Sequence, residues 1–290
     1  MKEPSDLTNW VESVIRDFIN TSPENTLQNE ADEKAWSDPL VGFSRGDDPL
    51  YEDYKKHVGH FHWTPLEIFK QTFPEAEVSA EDLTVISWIL PQTEATKADT
   101  RKEKEFPPER WARARLYGEE VNDKLRRHVV AALQEKGYRA VAPVQSPQFS
   151  RQMSESYGFA SNWSERHAAY AAGLGTFGLC DGLITPRGKA VRVGSVVAQI
   201  QIPATARPYE DHHAYCLFYS QGACKSCISR CPVGALSEAG HDKMKCFGHT
   251  YGASLNHIKS LHGFEVGSCG LCQTKVPCES RIPKKAEGKK

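Results

Sequence analysis

Long apolar runs are missing from this sequence of 290 residues. The longest, such as VISWIL at 85–90, fall far short of the roughly 18–20 residues that cross a bilayer, so no membrane span is expected. The opening MKEPSDLTNW lacks both an apolar signal core and paired arginines, and export is not expected either. A net charge is lacking too. Lys and Arg number 36 against 37 Asp and Glu, leaving no global field to draw the chain onto nucleic acid or anionic lipid. Repeats and low-complexity tracts are absent, which sets aside collagen-like and disordered classes. The expectation is a cytoplasmic protein, long enough for one large domain or two moderate ones with a sizeable core. In that compartment thiols stay reduced, so nine cysteines point to metal binding or catalysis rather than disulfides.

Eight of the nine crowd the last quarter: Cys216, Cys224, Cys227, Cys231, Cys246, Cys269, Cys272 and Cys278. Eight thiolates serve two cubane iron–sulfur clusters. The segment CKSCISRCPVGAL at 224–236 contains C-x2-C-x3-C-P, the end of the two-cluster ferredoxin run whose fourth Cys ligates the other cluster. The first Cys of that run is replaced by Gln221, and Cys216 is the substitute. In the second half, Cys269 and Cys272 pair, Cys246 lies ahead of them, and the expected C-P reads Val276-Pro277 with the thiol displaced to Cys278. One 4Fe-4S cluster is therefore assigned to Cys216, Cys224, Cys227 and Cys278, and the other to Cys231, Cys246, Cys269 and Cys272. An all-thiolate zinc site needs only four cysteines and would leave four nearby without a role. Cys180 stands apart and reads as a small buried thiol.

The first 210 residues read as a mixed α/β unit. Leu7, Trp10, Val11, Val14, Ile15 and Phe18 share one face of a helix over 6–20, followed by a polar loop at 21–38. A buried strand is expected at 85–90, stopped by Pro91. Residues 92–108 read as an exposed excursion. Val121, Leu125, Val129, Ala132 and Leu133 mark a helix ended by Gly137, and strands follow at 138–144 and 191–202. This alternation implies a helix-covered sheet. The basic RIPKKAEGKK reads as a disordered tail.

The segment WSERHAAYAAGLGTFG at 163–178 reads as a short helix, capped by Ser164 and with small residues Ala168, Ala169, Ala171 and Ala172 on one face, running into a glycine-rich loop. Its glycines match G-x-G-x-x-G in number, but they follow a helix instead of joining a strand to one, so a dinucleotide fingerprint is rejected. The loop is either a tight turn or a place where backbone approaches a large planar ligand. His57, His60 and His62, and likewise His212 and His213, have no carboxylate or Cys at ligand spacing and read as loop or surface residues.

Together with the cysteines, GFSRGDDPLYEDYKKHVG at 42–59, WSERHAAYAAGLGTFG at 163–178 and ITPRGKAVRVGSVV at 184–197 resemble the epoxyqueuosine reductase and reductive dehalogenase superfamily, in particular its short epoxyqueuosine reductase-like branch. The resemblance runs from about residue 40 to the end. It implies an α+β fold, a nitroreductase-like helix-covered mixed sheet followed by a ferredoxin-like double-cluster module. The divisions are an N-terminal helix and loop (1–40), the nitroreductase-like domain (41–210), the ferredoxin-like module (211–282) and a basic tail (283–290). It also implies an oxidoreductase in which an external low-potential donor feeds two 4Fe-4S clusters and then a cobalamin, which reduces a small-molecule or nucleoside substrate. Gly173, Gly175, Thr176, Phe177 and Gly178 would lie against the corrin, and the strand at 191–197 would line the same pocket.

The sequence departs from that family at the proton donor. Alignment on Glu165-Arg166 puts Phe159 where the D-[ST]-x-P-x-x-E-R stretch has Asp, and Asn162 where it has Pro. The helical-repeat extension that grips tRNA is also not found after Cys278, so a tRNA substrate is not expected. Tyr157, Glu165 and His167 are the candidate donors near the loop, His167 having as its bland alternative a hydrogen bond that holds the loop. Arg166 is expected to bind a carboxylate or phosphate edge. The alternatives are an iron–sulfur carrier without catalysis, or a flavin in the same core, against which stands the lack of an Arg/Lys phosphate cradle.

Overall fold

The computed structural model describes residues 4–284; the end of the tail, 285–290, lies outside them. Val11, Ile15 and Ile19 recur every fourth residue and form the buried stripe of helix α1 (Pro4–Thr21), with Leu7, Trp10, Val14 and Phe18 packed beside it. The loop that follows is fixed by Asn25, whose amide donates to the carbonyls of Ile19 and Trp36 at 2.9 Å each. Next come strand β1 (Leu40–Arg45) and helices α2 (Leu50–His57) and α3 (Pro65–Thr72). Helix α3 starts on a capping box: Thr64 Oγ1 accepts from Glu67 N, and the Glu67 carboxylate accepts from Thr64 N. Strand β2 (Thr84–Pro91) is buried along its whole length.

Helices α4 (Glu94–Lys102) and α5 (Glu109–Glu135), strand β3 (Ala140–Val141) and a hairpin of β4 (Arg151–Ser154) with β5 (Gly158–Ser161) lead to helix α6 (Glu165–Ala171). Strand β6 (Thr176–Phe177) then pairs with β7 (Leu183–Ile184), and β8 (Val191–Ala198) completes the main sheet.

That sheet has the order β1-β2-β8-β3. Each neighbouring pair is antiparallel, so the α+β class holds while the sheet itself is antiparallel rather than mixed. The period-two alternation of β2 and β8 sends side chains to two cores. Val85, Ile89, Val193 and Val197 pack under α2, α3 and α6. Ile86, Trp88, Leu90, Val196 and Ala198 pack under α1 and α5. Each such fully buried aliphatic contributes about 1.5–3 kcal/mol of transfer free energy. The alanine face of α6 lets it settle on β1, where a Cβ at Gly42 would stand 2.5 Å from the Ala172 carbonyl oxygen.

Three sequence expectations change. Residues 92–108 are not an exposed excursion: α4 buries Thr96 and Thr100 completely. The strand expected at 138–144 keeps two residues, because Pro143 has no N–H for a ladder and opens a 3-10 turn over Pro143–Gln145. The strand expected at 191–202 stops at Ala198, which pairs with Thr84, the first residue of β2. Beyond it the chain bonds to a side chain instead, with Thr84 Oγ1 donating to Ile200 O at 2.6 Å and accepting from Ile202 N at 3.2 Å.

The cysteine-rich part is built from short pieces: α7 (Leu217–Gln221), α8 (Ser226–Ser229), a hairpin of β9 (Leu236–Ser237) with β10 (Gly240–His241), α9 (Lys243–Gly248) and α10 (Ser254–His262). Its core is small and half sulfur, combining Leu179, Cys180, Ile184, Cys216, Cys227, Leu236, Val276 and Cys278. Polar ties do much of the joining to the first part. The Arg230 guanidinium donates to the carbonyls of Glu103 (2.6 Å), Thr100 (3.0 Å), Leu271 and Thr274 (3.2 Å each). Arg101 of α4 grips the buried Glu279 carboxylate with its Nε at 2.9 and 3.1 Å.

Candidate metal centre

Four thiols from three separate stretches meet at one cavity. Cys216 precedes α7, Cys224 precedes α8, Cys227 lies within α8, and Cys278 follows the Val276-Pro277 turn. All four line one small cavity together with Lys189 and the apolar side chains of Leu179, Ile184 and Val276. These are the four residues assigned to one cluster from spacing. Among the described residues no three Cys, His, Asp or Glu side chains converge as ligands of a single metal ion. A cubane makes a different demand, since each of its four thiolates binds its own iron. A cavity walled by four thiols and apolar groups fits that demand.

The other four cysteines are neighbours as well. Cys269 interacts electrostatically with Cys246 and Cys231, and Cys272 with Cys269. Cys231 Sγ accepts a hydrogen bond from Ala235 N at 3.1 Å. Burial pushes the thiols of Cys269 and Cys278 up to about 11, and the nearby sulfurs add to the shift. Cationic groups offset this. His241 is partly buried, which disfavours its charge, yet contacts with Asp181 and Cys246 push its pKa up to about 10.

Cys180 is buried, as expected of it, but it is not isolated. Its sulfur meets Cys227 of one set and Cys272 of the other, and accepts from Lys189 Nζ at 3.2 Å. Hydrogen bonds from the two thiols, helped by the Lys189 ammonium, hold Cys180 well below the usual thiol range.

The candidate proton donors fall in three different surroundings. Tyr157 is half-exposed in the turn of the β4–β5 hairpin, with Lys243 Nζ 5.6 Å from its ring centroid. Glu165 opens α6 inside a buried ionic network. Its carboxylate accepts from Arg126 Nη2 at 3.0 Å and from Ser195 Oγ, which in turn accepts from Trp163 Nε1 at 3.0 Å. Burial raises the Glu165 pKa against the pull of Arg126. Arg126 also pairs with Glu119 and Asp123 and donates to Val193 O. The network lies where β3 is too short to cover β8, and Asn122 donates to the same Val193 carbonyl at 3.1 Å. Glu165 is thereby engaged in closing a sheet edge.

His167 is packed between Tyr54 and Phe177, with ring centroids 4.6 and 5.0 Å away. Burial, followed by the charges of His62 and Arg166, holds it well below the ordinary imidazole range. Its Nδ1 is 2.7 Å from Ser164 Oγ, so Ser164 stands at the N-cap position of α6 but turns its hydroxyl to the histidine instead of a backbone N–H. Arg166 donates to the Asp181 carbonyl of the glycine-loop side, a protein partner.

One histidine reading is corrected. His57 and His60 are exposed, but His62 is 1% exposed in an aromatic nest with Tyr54, Trp163 and His167. Its Nδ1 is 3.1 Å from Trp63 O, its Nε2 is buried without a partner among the described residues, and burial lowers its pKa to about 4. His212 and His213 lie in a surface loop, as expected: His212 is exposed, with its carbonyl accepting from Phe177 N at 2.7 Å, and the half-buried His213 has its Nδ1 2.9 Å from Phe177 O.

The glycine run is packed against the protein's own chain. A Cβ at Gly175 would meet Ile184 O at 2.3 Å, and one at Gly173, which has φ +77°, would meet Ala206 O at 2.6 Å. Thr176 is buried and accepts from Tyr215 N, while Phe177 stays partly exposed. The space these glycines keep open is therefore filled by backbone, and on this test the run does not form a cradle for a corrin. The tight-turn reading describes it. Sequence reasoning missed Lys189 and the Arg126–Glu119 network, because a lone Lys ahead of a strand, or one Arg among the many charges of a helix, carries no spacing signal.

No protein-family model matches the chain, and no curated protein matches its sequence. Solved structures do match in fold. A crystal structure of selenomethionine-labelled epoxyqueuosine reductase aligns with a TM-score of 0.52 at 16% identity, over 98% of this chain and 68% of that one. An epoxyqueuosine reductase with an epoxyqueuosine-modified tRNA-Tyr stem loop gives 0.52 at 17% identity, over 99% and 68%. A reductive dehalogenase structure described as suggesting a mechanism for B12-dependent dehalogenation gives 0.50 at 15% identity, over 84% of this chain and 30% of that one. With its α+β core and its cysteine-rich C-terminal part, this chain has the fold shared by the epoxyqueuosine reductases and reductive dehalogenases.

Proposed function

We propose that the chain is an iron–sulfur oxidoreductase that takes electrons from an external low-potential donor through two 4Fe-4S clusters. Cys216, Cys224, Cys227 and Cys278 would hold one cluster, and Cys231, Cys246, Cys269 and Cys272 the other. The observation that carries this reading is the cavity lined by all four thiols of the first set. Bound there, a cubane supplies reversible one-electron chemistry at low potential. The chain's own part is to exclude water with Leu179, Ile184 and Val276, to fix Cys278 through the Lys189 N–H at 2.8 Å from its carbonyl, and to set local charge with Lys189 and His241. The division into a first domain up to about 210 and a cluster module after it belongs to this reading, with Leu179–Ile184 contributing to the module's core.

A corrinoid as electron acceptor is favoured by one observation, the fold shared with a B12-dependent dehalogenase structure. The glycine run adds nothing to it, and no step is derived through cobalt. Substrate classes to test follow from the neighbours: a modified nucleoside in a tRNA stem loop, and a halogenated hydroxybenzoate such as the one in a further dehalogenase complex. The decisive experiment is anaerobic reconstitution with iron and sulfide, then titration with cob(II)alamin followed by EPR. About eight irons per chain are expected for two cubanes, and Cys278→Ser should lose half of them. Four zinc-binding thiols and no sulfide would overturn the reading; free and unperturbed cobalamin beside eight irons would remove only the corrinoid.

A further inference from the structure

Two groups at the metal centre have no place in the ligand count: Lys189 and the ninth cysteine, Cys180. The inference drawn from them rests on the two-cluster reading. A buried ammonium is costly unless anions or good acceptors surround it. Lys189 is 3% exposed, and among the described residues no carboxylate pairs with it. Its Nζ donates to Cys180 Sγ, and it lines the cavity of Cys216, Cys224, Cys227 and Cys278. The fold has thus brought a full positive charge into a wall of Leu179, Ile184 and Val276, where the groups within reach are sulfurs. Cys180, in contact with Cys227 and Cys272, belongs to neither ligand set and touches one member of each.

We propose that Lys189 is a potential-setting residue: held by Cys180 between the two thiol sets, its positive charge stabilises the reduced form of the cluster at Cys216, Cys224, Cys227 and Cys278. That cluster becomes the more easily reduced of the pair, which gives electron flow a direction within the chain. The physical basis is Coulombic. Reduction adds a negative charge a short distance from a cation in a poorly screened interior, where such interactions far exceed their strength in water.

The test is a redox titration of the reconstituted full-length protein, read by EPR, for wild type, Lys189→Gln, Lys189→Arg and Cys180→Ala, with iron and sulfide measured on each sample. In Lys189→Gln the reduced-to-oxidised ratio of one cluster should fall at least tenfold at fixed ambient potential, a 59 mV lowering for a one-electron couple. The other cluster should shift less. Lys189→Arg, which keeps the charge, should restore most of the ratio. Cys180→Ala leaves the ammonium facing the ligand sulfurs and should shift the same midpoint in the opposite direction. If Lys189→Gln fails to take up iron, Cys180→Ala decides alone. Unchanged midpoints in the variants that load would overturn this inference and leave the two-cluster reading standing; a wild-type chain that takes up no iron would overturn both.

Discussion

Acid should weaken this fold through one imidazole. His62 is enclosed by Tyr54, Trp163 and His167, its Nε2 has no partner among the described residues, and burial lowers its pKa from 6.5 to about 4. In the unfolded chain the same side chain titrates near 6.5. The folded pKa is the lower one, so the unfolded state binds the proton first and stability falls as pH drops from about 6.5 towards 4. Between pH 7.5 and 5.5 the loss comes to about 1.4 kcal/mol, and by pH 4 to about 3 kcal/mol, from linkage at 1.36 kcal/mol per pKa unit. His62→Phe keeps an aromatic ring in the nest and cannot be protonated. The assay is urea unfolding of both proteins at pH 7.5 and 5.5, in which groups common to both cancel. Wild type should lose about 1.4 kcal/mol more than the variant across that interval. Equal losses, or an NMR titration of His62 near 6.5, would refute the argument. His167, depressed for the same reason, works in the same direction.

Two further perturbations probe other parts of the structure. Arg230→Met removes the donors to the carbonyls of Glu103, Thr100, Leu271 and Thr274; it should cost about 2–4 kcal/mol in urea unfolding, since several part-buried acceptors lose a charged donor at once. Gly175→Ala forces a Cβ to within 2.3 Å of Ile184 O and should destabilise by about 2 kcal/mol or more, with the β6–β7 amides losing hydrogen-exchange protection first. A neutral result there would mean that the loop has slack.

Local pattern carried much of the fold. The stripe of α1, the all-apolar centre of β2 and the glycine stop after α5 were legible because each depends on residues close in sequence. The local spacing of Cys216, Cys224 and Cys227 foreshadowed that they line one cavity, whereas Cys278 reaches it from far along the chain. What could not be read depends on partners far along the chain. Helix α4 looks like an exposed charged segment until Arg230 and Glu279 arrive from the other end to meet it. His62 gives no sign of burial in HVGHFH, since Trp163 and His167 come from a hundred residues later. The glycine run invited a ligand reading because a missing Cβ records only that something approaches closely. Here that something is the carbonyl of Ile184.

The thiols of the first cavity are made at very different moments. Cys216, Cys224 and Cys227 leave the ribosome together, whereas Cys278 comes last and must return to lie beside Lys189 and α4, where its carbonyl accepts the Lys189 N–H and the next residue, Glu279, meets Arg101. On the two-cluster reading, cofactor loading at this centre would be a late event in the life of the chain, because a nascent polypeptide stalled short of Cys278 holds three of the four thiols of that set.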